Sequence, residues 1–301
     1  MRSGLTNTIL AIGSSLTLLG GVGWLGLRVK SAPFPPHPER TPELDATELP
    51  SGLPEPVRRH FLATLGGQVP KIETAVVWGR AHFKVGGLWT RMRFKSYNVA
   101  GREFRRDMEI TWFGVPVLRG SDAYLGGEGS LEITGLLNTS SRGENFDQGQ
   151  NLTMWAEAPF TTPSVLILDP RARWEPIDAH TARLVVPFGE QEETLRAEFD
   201  PESGLMRRMS GMRYRNHEQT KTPWRGELSA WRTLHGIKVP IRTWPSGKIR
   251  ESPTASSRLR ARSTTSMSPR KSPQTALRLM RRGYLAVADK ASGVSVNRRR
   301  W

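Results

Sequence analysis

Two neighbouring stretches near the middle of the chain alternate between apolar and polar side chains. From 88 to 98 and again from 104 to 112, apolar residues recur at every second position and basic or acidic residues fall between them. A period of two is typical of a half-buried β-strand, and the turn-forming residues 98–101 between the stretches predict a hairpin. Arg106 is an exception, because it falls on the apolar side of its stretch.

Five further alternating runs follow towards the carboxyl terminus. They are Arg183–Phe188, Thr194–Phe199, Leu205–Tyr214, Trp224–Thr233 and Ile237–Thr243. Short turn sequences join them, including Asp-Pro-Glu-Ser-Gly at 200–204 and His-Gly at 235–236. Sequential hairpins of this kind predict an antiparallel meander.

Two helices are predicted beside the strands. Apolar residues at helical spacing from Val57 to Leu65 follow Pro56 and precede Gly66, which suit the first turn and the end of a helix. A second helix is expected around 152–156, ended by Pro159. The predicted fold class is therefore α+β: a curved antiparallel β-sheet, or half-barrel, over 53–245, with one or two helices packed on one face.

The amino-terminal segment predicts a membrane anchor. Thr8–Leu27 is a run of twenty uncharged residues, and at about 1.5 Å per helical residue it matches a bilayer core of about 30 Å. A cleaved signal peptide is the competing interpretation, but Lys30 stands where a small residue is expected before cleavage after Ala32. We expect an uncleaved transmembrane helix within 1–30 and a proline-rich linker over 31–52.

The net charge of +16 is confined to one part of the chain. Residues 246–301 carry fourteen Lys and Arg against two acids, or +12, and residues 1–245 therefore carry 30 basic and 26 acidic side chains, or +4. The nearly neutral body gives no sign of specific nucleic-acid binding. The absence of cysteine excludes disulfides, thiolate metal sites and cysteine nucleophiles.

The basic segment 246–301 is poor in acids, and its stretch 252–274 shows no sustained period of 2 or 3.6, so the segment is expected to be disordered. Three interpretations stay open. It could be a basic arm for nucleic acid or anionic lipid, a native tail particular to one lineage, or the product of a reading-frame shift near codon 245. If the native ending is lost, the sheet is expected to lack one or two closing strands and to expose an edge.

The segment from Met154 to Val186 and the strand pair from Arg196 resemble a bacterial family known only as a domain of unknown function. The matching features are Ala-Glu-Ala-Pro at 156–159, Pro163, Trp174, Ile-Asp at 177–178, an acidic hairpin turn near Asp200, and an entry helix at 53–59. The resemblance covers roughly 53–245. It implies a fold like that of periplasmic lipoprotein carriers, in which a half-open sheet closed by helices holds acyl chains.

Candidate site residues follow from this resemblance and from side-chain type. Four aromatic residues are candidates for lining an apolar ligand site: Trp112, Trp155, Phe160 and Trp174. Three acids near the recognised motif are polar candidates: Glu157, Asp169 and Asp178. The scattered histidines show no metal-binding spacing, and no nucleophile motif or cofactor motif is present, so no catalytic residue, metal or cofactor is predicted.

Together these features predict a single-pass membrane protein with an extracytoplasmic domain that binds lipid or another apolar ligand. Two alternatives remain. One is an envelope-associated enzyme that uses the three acids, and the other is a non-enzymatic protein of envelope assembly that works through its open sheet edge. The sequence does not determine the ligand or the oligomeric state.

Overall fold

The computed structural model describes residues 14, 18, 20–37, 43–85, 88–136, 138–214 and 219–245, and the backbone of the strands at 258–266 and 284–285. One large antiparallel sheet dominates it. The first six strands form one meander: β3 (Thr74–Val85), β4 (Leu88–Val99), β5 (Glu103–Trp112), β6 (Val115–Leu125), β7 (Glu128–Gly135) and β8 (Thr139–Ser141). A separate pair is formed by β1 (Ala46–Glu48) and β2 (Gln68–Pro70).

Six more strands form a second meander. They are β9 (Arg173–Asp178), β10 (Thr181–Phe188), β11 (Gln191–Phe199), β12 (Met206–Arg213), β13 (Thr222–Leu234) and β14 (Ile237–Pro245). Every alternating run predicted from the sequence coincides with one of these twelve strands, and Leu205–Tyr214 extends one residue beyond β12 at each end. The α+β class and the open antiparallel sheet are confirmed.

The two meanders meet through a strand that lies within the segment expected to be disordered. β15 (Arg258–Ser266) pairs with β3 along its whole length and with β14 at Arg242 and Thr243, and β16 (Tyr284–Leu285) pairs with its far end. In this part the structure differs from the expectation of disorder and of an unpaired edge. The sequence at 258–263 does alternate, Arg-Leu-Arg-Ala-Arg-Ser, and both neighbouring strands offer backbone groups that need partners. The remainder of 246–301 lies outside the described residues.

Four helical segments accompany the sheet in the part of the chain that the structure describes. Helix α1 covers 20–28, α2 is Glu55–Leu65, α3 is Glu144–Thr161 and α4 is Val165–Leu168. The prediction of α2 is confirmed, with Pro56 in its first turn and Gly66 at its end with a φ of 82°. The prediction that Pro159 ends the second helix is wrong, since α3 continues through it to Thr161. Proline removes one backbone hydrogen bond from a helix, and the packing of α3 on the sheet compensates for this loss.

Half of the predicted transmembrane segment lies outside the described residues. Of Thr8–Leu27, the structure describes positions 14, 18 and 20–27. Within the described part of the chain, no helix is both long enough and apolar enough to cross a bilayer. The anchor stays a prediction.

Two apolar clusters lie on the face of the sheet that packs against α3, which we call the inner face. The main core joins both meanders to α2 and α3, with Phe61, Trp155, Leu184 and Phe199 among its most buried members. The second cluster belongs to the first meander and the end of α3: Val77, Ala81, Met92, Phe94, Ile110, Leu118 and Phe160. The two clusters are separate, and polar side chains lie between them.

Candidate functional site

A row of polar side chains crosses the inner face between the two apolar clusters. The strand register places Ser96 of β4 opposite Arg106 of β5, and Arg106 opposite Asp122 of β6. Along the inner side of β5 the order is Phe104 in the main core, then Arg106, then Ile110 in the second cluster. The exception noted in the alternating sequence is therefore a real charge on the buried face.

Helix α3 places a carboxylate over this row. Arg106 donates from Nη2 to Glu157 Oε2, and from Nη1 to Asp122 Oδ2 at 3.5 Å. Gln150, also on α3, donates from Nε2 to Asp122 Oδ1 at 2.8 Å. We call Arg106, Asp122, Glu157 and Gln150 the buried ionic cluster. It holds α3 against β5 and β6 by charge-assisted hydrogen bonds, which are stronger than neutral ones.

Burial and charge act in opposite directions on the ionisable groups of this cluster. Burial raises the pKa of both Asp122 and Glu157, and the nearby Arg106 only partly offsets it. Burial also disfavours the charged guanidinium of Arg106, but attraction from Glu157 and Asp122 outweighs this and its pKa is raised. Arg106 therefore stays charged, and its charge lowers the free-energy cost of burying the two carboxylates.

The three acids singled out from the sequence do not converge on one site. Glu157 is in the buried ionic cluster. Asp169 follows α4 and pairs with Arg171 at 2.6 Å, which lowers the pKa of its carboxyl despite partial burial. Asp178 is exposed in the β9–β10 turn, where it accepts a backbone N–H two residues further on. Separate acids with separate partners offer no paired acid and base.

The four aromatic candidates also divide between locations. Trp155 is fully buried in the main core, and Trp174 packs at its edge and donates from Nε1 to the Leu166 carbonyl at 2.7 Å. Phe160 belongs to the second cluster. Trp112 is 40% exposed at the end of β5, beyond that cluster. Two of the four therefore lie in or beside the second cluster, and two lie in the main core.

The second cluster has the features of an apolar binding surface. Met108, Val117 and Ile133 extend it on neighbouring strands. Gly120 leaves its inner position without a side chain, and a Cβ there would lie 3.3 Å from the Met108 Cε and 3.6 Å from the Ile133 Cγ1. Glycine inside a strand weakens it and often marks a place that another group approaches closely. Methionine side chains adapt readily to apolar partners of different shape.

A segment outside the sheet covers part of this surface. Leu27, near the end of α1, packs against the second cluster. The same helix approaches the turn after β5, where the Phe113 N–H donates to the Gly26 carbonyl at 3.0 Å.

A shallow groove lies elsewhere, between α3 and β12–β13. It is lined by Leu152, Thr153, Gly211, Arg213 and Trp224 and encloses no space for even a water molecule. Sites for small molecules are commonly about 300–1,000 Å³, so this groove is too shallow to bury a ligand. Among the residues that the structure describes, no group of three or more His, Cys, Asp or Glu side chains is placed to hold a metal ion.

Sequence reasoning noted Arg106 and Glu157 separately but missed Asp122. Its signal was present, since it stands two residues after Gly120 and two before Tyr124 on the inward-facing positions of β6. An acid at an inward-facing position of a strand needs a buried cation as a partner. Arg106 on the neighbouring strand is such a cation.

Comparison with family models finds a match over residues 43–244, to a family described as a family of unknown function, DUF6544. The chain belongs to this family. The resemblance expected from the sequence is confirmed, and the matched region contains strands β1 to β14 and helices α2, α3 and α4. The family match begins after Leu27, so the part of the chain that covers the second cluster lies outside the family domain. Among curated proteins no sequence relative was found.

Three of the solved structures that resemble this chain come from bacteria. A LolA superfamily protein from Nitrosomonas europaea is 10% identical, with a TM-score of 0.37 over 67% of this chain and 88% of its own. A DUF1329 family protein from Desulfovibrio piger is 10% identical, with a TM-score of 0.36 over 63% and 84%. A domain from Vibrio parahaemolyticus, named for outer membrane lipoprotein sorting, is 8% identical, with a TM-score of 0.37 over 76% and 96%. Likenesses of this degree do not transfer a ligand or an activity to this chain.

Proposed function

We propose that the domain binds an apolar ligand, such as an acyl chain, on the second cluster. This proposal is supported by the origin of the segment that covers part of the second cluster. A buried apolar surface on the family domain is contacted by Leu27, which lies outside that domain. Apolar surface needs a partner, and within the family domain α3 reaches this cluster with Phe160 near its end.

The buried ionic cluster forms the inner boundary of the proposed site. It separates the second cluster from the main core along β5, so a ligand on Ile110 and Leu118 meets charge before it meets Phe104. This boundary limits how far an apolar chain can penetrate, because displacing Arg106 from its carboxylates is costly. Beyond the opposite side of the cluster lies Trp112, where the ligand enters.

We further propose that Thr8–Leu27 anchors the protein in a membrane, with the domain outside the cytoplasm. The length and apolar character of this run support the anchor. An anchored domain whose ligand surface touches the end of its own anchor can exchange an acyl chain over a short distance. No comparable observation supports an enzyme, because Glu157, Asp169 and Asp178 lie with different partners.

A bulky side chain at Gly120 is expected to weaken ligand binding at least tenfold. In Gly120→Leu the added atoms crowd Met108, Ile133 and the Glu132 carbonyl, and so displace side chains of the inner face where the acyl chain is proposed to lie. The measurement is titration of purified full-length protein with a fluorescent fatty acid, together with organic extraction and mass spectrometry of lipid carried from the host. A loss of about 1.4 kcal/mol of binding free energy corresponds to the tenfold change.

Gly52→Leu is the matched control. Gly52 is exposed, and a Cβ there meets nothing within 4 Å. Its binding is expected to equal that of the unaltered protein. Thermal melting of both variants separates loss of binding from loss of folding, since overpacking costs about 1–3 kcal/mol of stability. Equal affinity in the two variants, or no bound lipid in any preparation, would refute the proposal.

A further inference from the structure

One end of the first meander exposes a patch of apolar side chains. Trp112 and Phe113 at the β5–β6 turn, Val115 at the start of β6 and Leu136 after β7 are all exposed, Leu136 to 77%. The Leu136 N–H donates to the Val117 carbonyl at 3.4 Å, which brings the two segments to the same edge. We call these four residues the apolar rim.

The sequence around the rim carries no charge. No Asp, Glu, Lys or Arg occurs from 110 to 118 or from 133 to 141. The opposite end of the same strands is different, with Arg102, Glu103 and Glu128 at its turns. Solvent-facing turns are normally polar, so an uncharged end with exposed aromatic residues indicates a surface that meets something other than water.

The tip of the rim is strained. Phe113 has a φ of 47° and Gly114 a φ of 87°, so both central residues of this two-residue turn are left-handed. Asparagine or aspartate followed by glycine is the usual sequence for such a turn, and a bulky aromatic there costs free energy. The chain keeps a phenylalanine in the turn, where its side chain is 48% exposed. Strain of this kind at an exposed tip is typical of contact residues.

Helix α1 continues the apolar surface. It packs so closely on the rim that a Cβ at Gly26 would lie 2.1 Å from the Trp112 Nε1, and the Trp112 Nε1 donates to the Gly23 carbonyl at 3.2 Å. Its own Trp24 and Leu25 are half exposed.

The charge beside this surface is positive. The Arg28 guanidinium lies 4.4 Å above the Trp24 ring, Lys30 follows, and no acidic residue precedes Glu39. Aromatic residues next to basic ones are typical of the boundary between lipid and water.

We propose that the apolar rim rests on the surface of a lipid bilayer, with the end of α1 beside it. Uncharged aromatic and aliphatic side chains enter the interfacial region, and Arg28 and Lys30 face lipid phosphates. In this orientation the second cluster opens towards the bilayer. The inference does not require a ligand on the inner face, so it can fail while the proposed function stands, and the reverse also holds.

Fluorescent labels at the two ends of the meander test the orientation. The chain has no cysteine, so Leu136→Cys and Leu125→Cys each give a single labelling position in the full-length protein. Leu125 is the matched control, since it is 42% exposed at the β6–β7 turn, away from the rim. Each labelled protein is reconstituted into phosphatidylcholine and phosphatidylglycerol vesicles that contain nitroxide-labelled lipid. Quenching at 136 is expected to exceed quenching at 125 by about threefold or more.

Equal quenching at both positions would show that the apolar rim does not contact the bilayer, and would overturn the proposal. Disulfide cross-linking between copies through Leu136→Cys would also overturn it, because the rim would then bind a second copy. In the Leu136→Cys background, Phe113→Asn is expected to reduce the quenching without lowering the melting temperature, since asparagine adopts a positive φ more easily. Unchanged quenching in that variant would remove Phe113 from the proposed contact.

Discussion

Replacing Arg106 by methionine is expected to lower the free energy of unfolding by about 3–5 kcal/mol at pH 7. The substitution removes the only cation that contacts both Asp122 and Glu157 in the described part of the chain. Both buried carboxylates then lose the cation that is hydrogen-bonded to them and keep only the weaker attraction of Arg213. The penalty for burying them in this state exceeds the value of the hydrogen bonds themselves. Urea unfolding followed by circular dichroism gives the free energy directly.

The pH dependence of this variant provides a second observation. Without Arg106, burial is expected to raise the pKa of both acids further in the folded state. A folded state that binds protons more readily than the unfolded chain gains stability as pH falls, so the deficit should shrink between pH 7 and pH 5. Replacing Asp122 and Glu157 by leucine in the same protein should recover most of the loss, because no unpaired charge remains. A loss below about 1 kcal/mol for Arg106→Met would show that α3 does not cover this row.

A fully buried histidine is expected to make the domain sensitive to acid. His60 of α2 accepts the Met206 N–H at Nδ1 over 3.0 Å, and its ring packs against Phe61, Phe199 and Trp231. Burial lowers the pKa of His60 from 6.5 to about 3, although a hydrogen bond to the Gly204 backbone acts in the opposite direction. The folded protein therefore needs this imidazole neutral.

The sign of the effect follows from the two protonation states. The unfolded chain takes up the proton near pH 6.5, whereas the folded chain resists it until about pH 3. Stability is therefore lost as pH falls through this window, and the loss between pH 7 and pH 5 is about 2 kcal/mol. The measurement is the free energy of unfolding from urea titrations at several pH values.

His60→Gln is the matched variant, because glutamine can also accept from Met206 and donate to a carbonyl but does not titrate. Subtracting its pH profile from that of the unaltered protein removes the contributions of Asp122, Glu157 and the surface acids. The difference should grow steadily as pH falls below 6.5. A flat difference would mean that His60 is accessible to solvent in the folded state.

The strands that could be predicted from the sequence are those with one buried face and one solvent-exposed face. Strands β10 to β14 and the β4–β5 hairpin alternate between apolar and polar side chains, and the sequence predicted all of them, but not β9. β3 was missed because both of its faces are apolar in part: Val77 faces the second cluster, while Val76 and Trp78 pack with Phe34 and Tyr97 on the other face. A strand that is covered on both sides loses the period of two.

The candidate site could be predicted only in fragments. Arg106 and Glu157 were each visible, but their pairing depends on where α3 lies on the sheet, which no local pattern specifies. A simple two-residue hairpin would have placed Ser121 opposite Arg106. A register shift beside Thr111 moves the pairing by one residue and brings Asp122 there instead. Such a bulge changes which side chains face inward, and it is seldom evident from sequence alone.

The position of β15 has a consequence for the order in which this protein is made. Its backbone lies between β3, near the beginning of the sheet, and β14, near the end. During synthesis both meanders can leave the ribosome and pair internally while the edges of β3 and β14 wait for a strand that is translated later. Pairing over so long a stretch of chain is slow, and exposed edges invite association with other chains. The interval before residue 266 emerges is therefore when a chaperone would matter most to this protein.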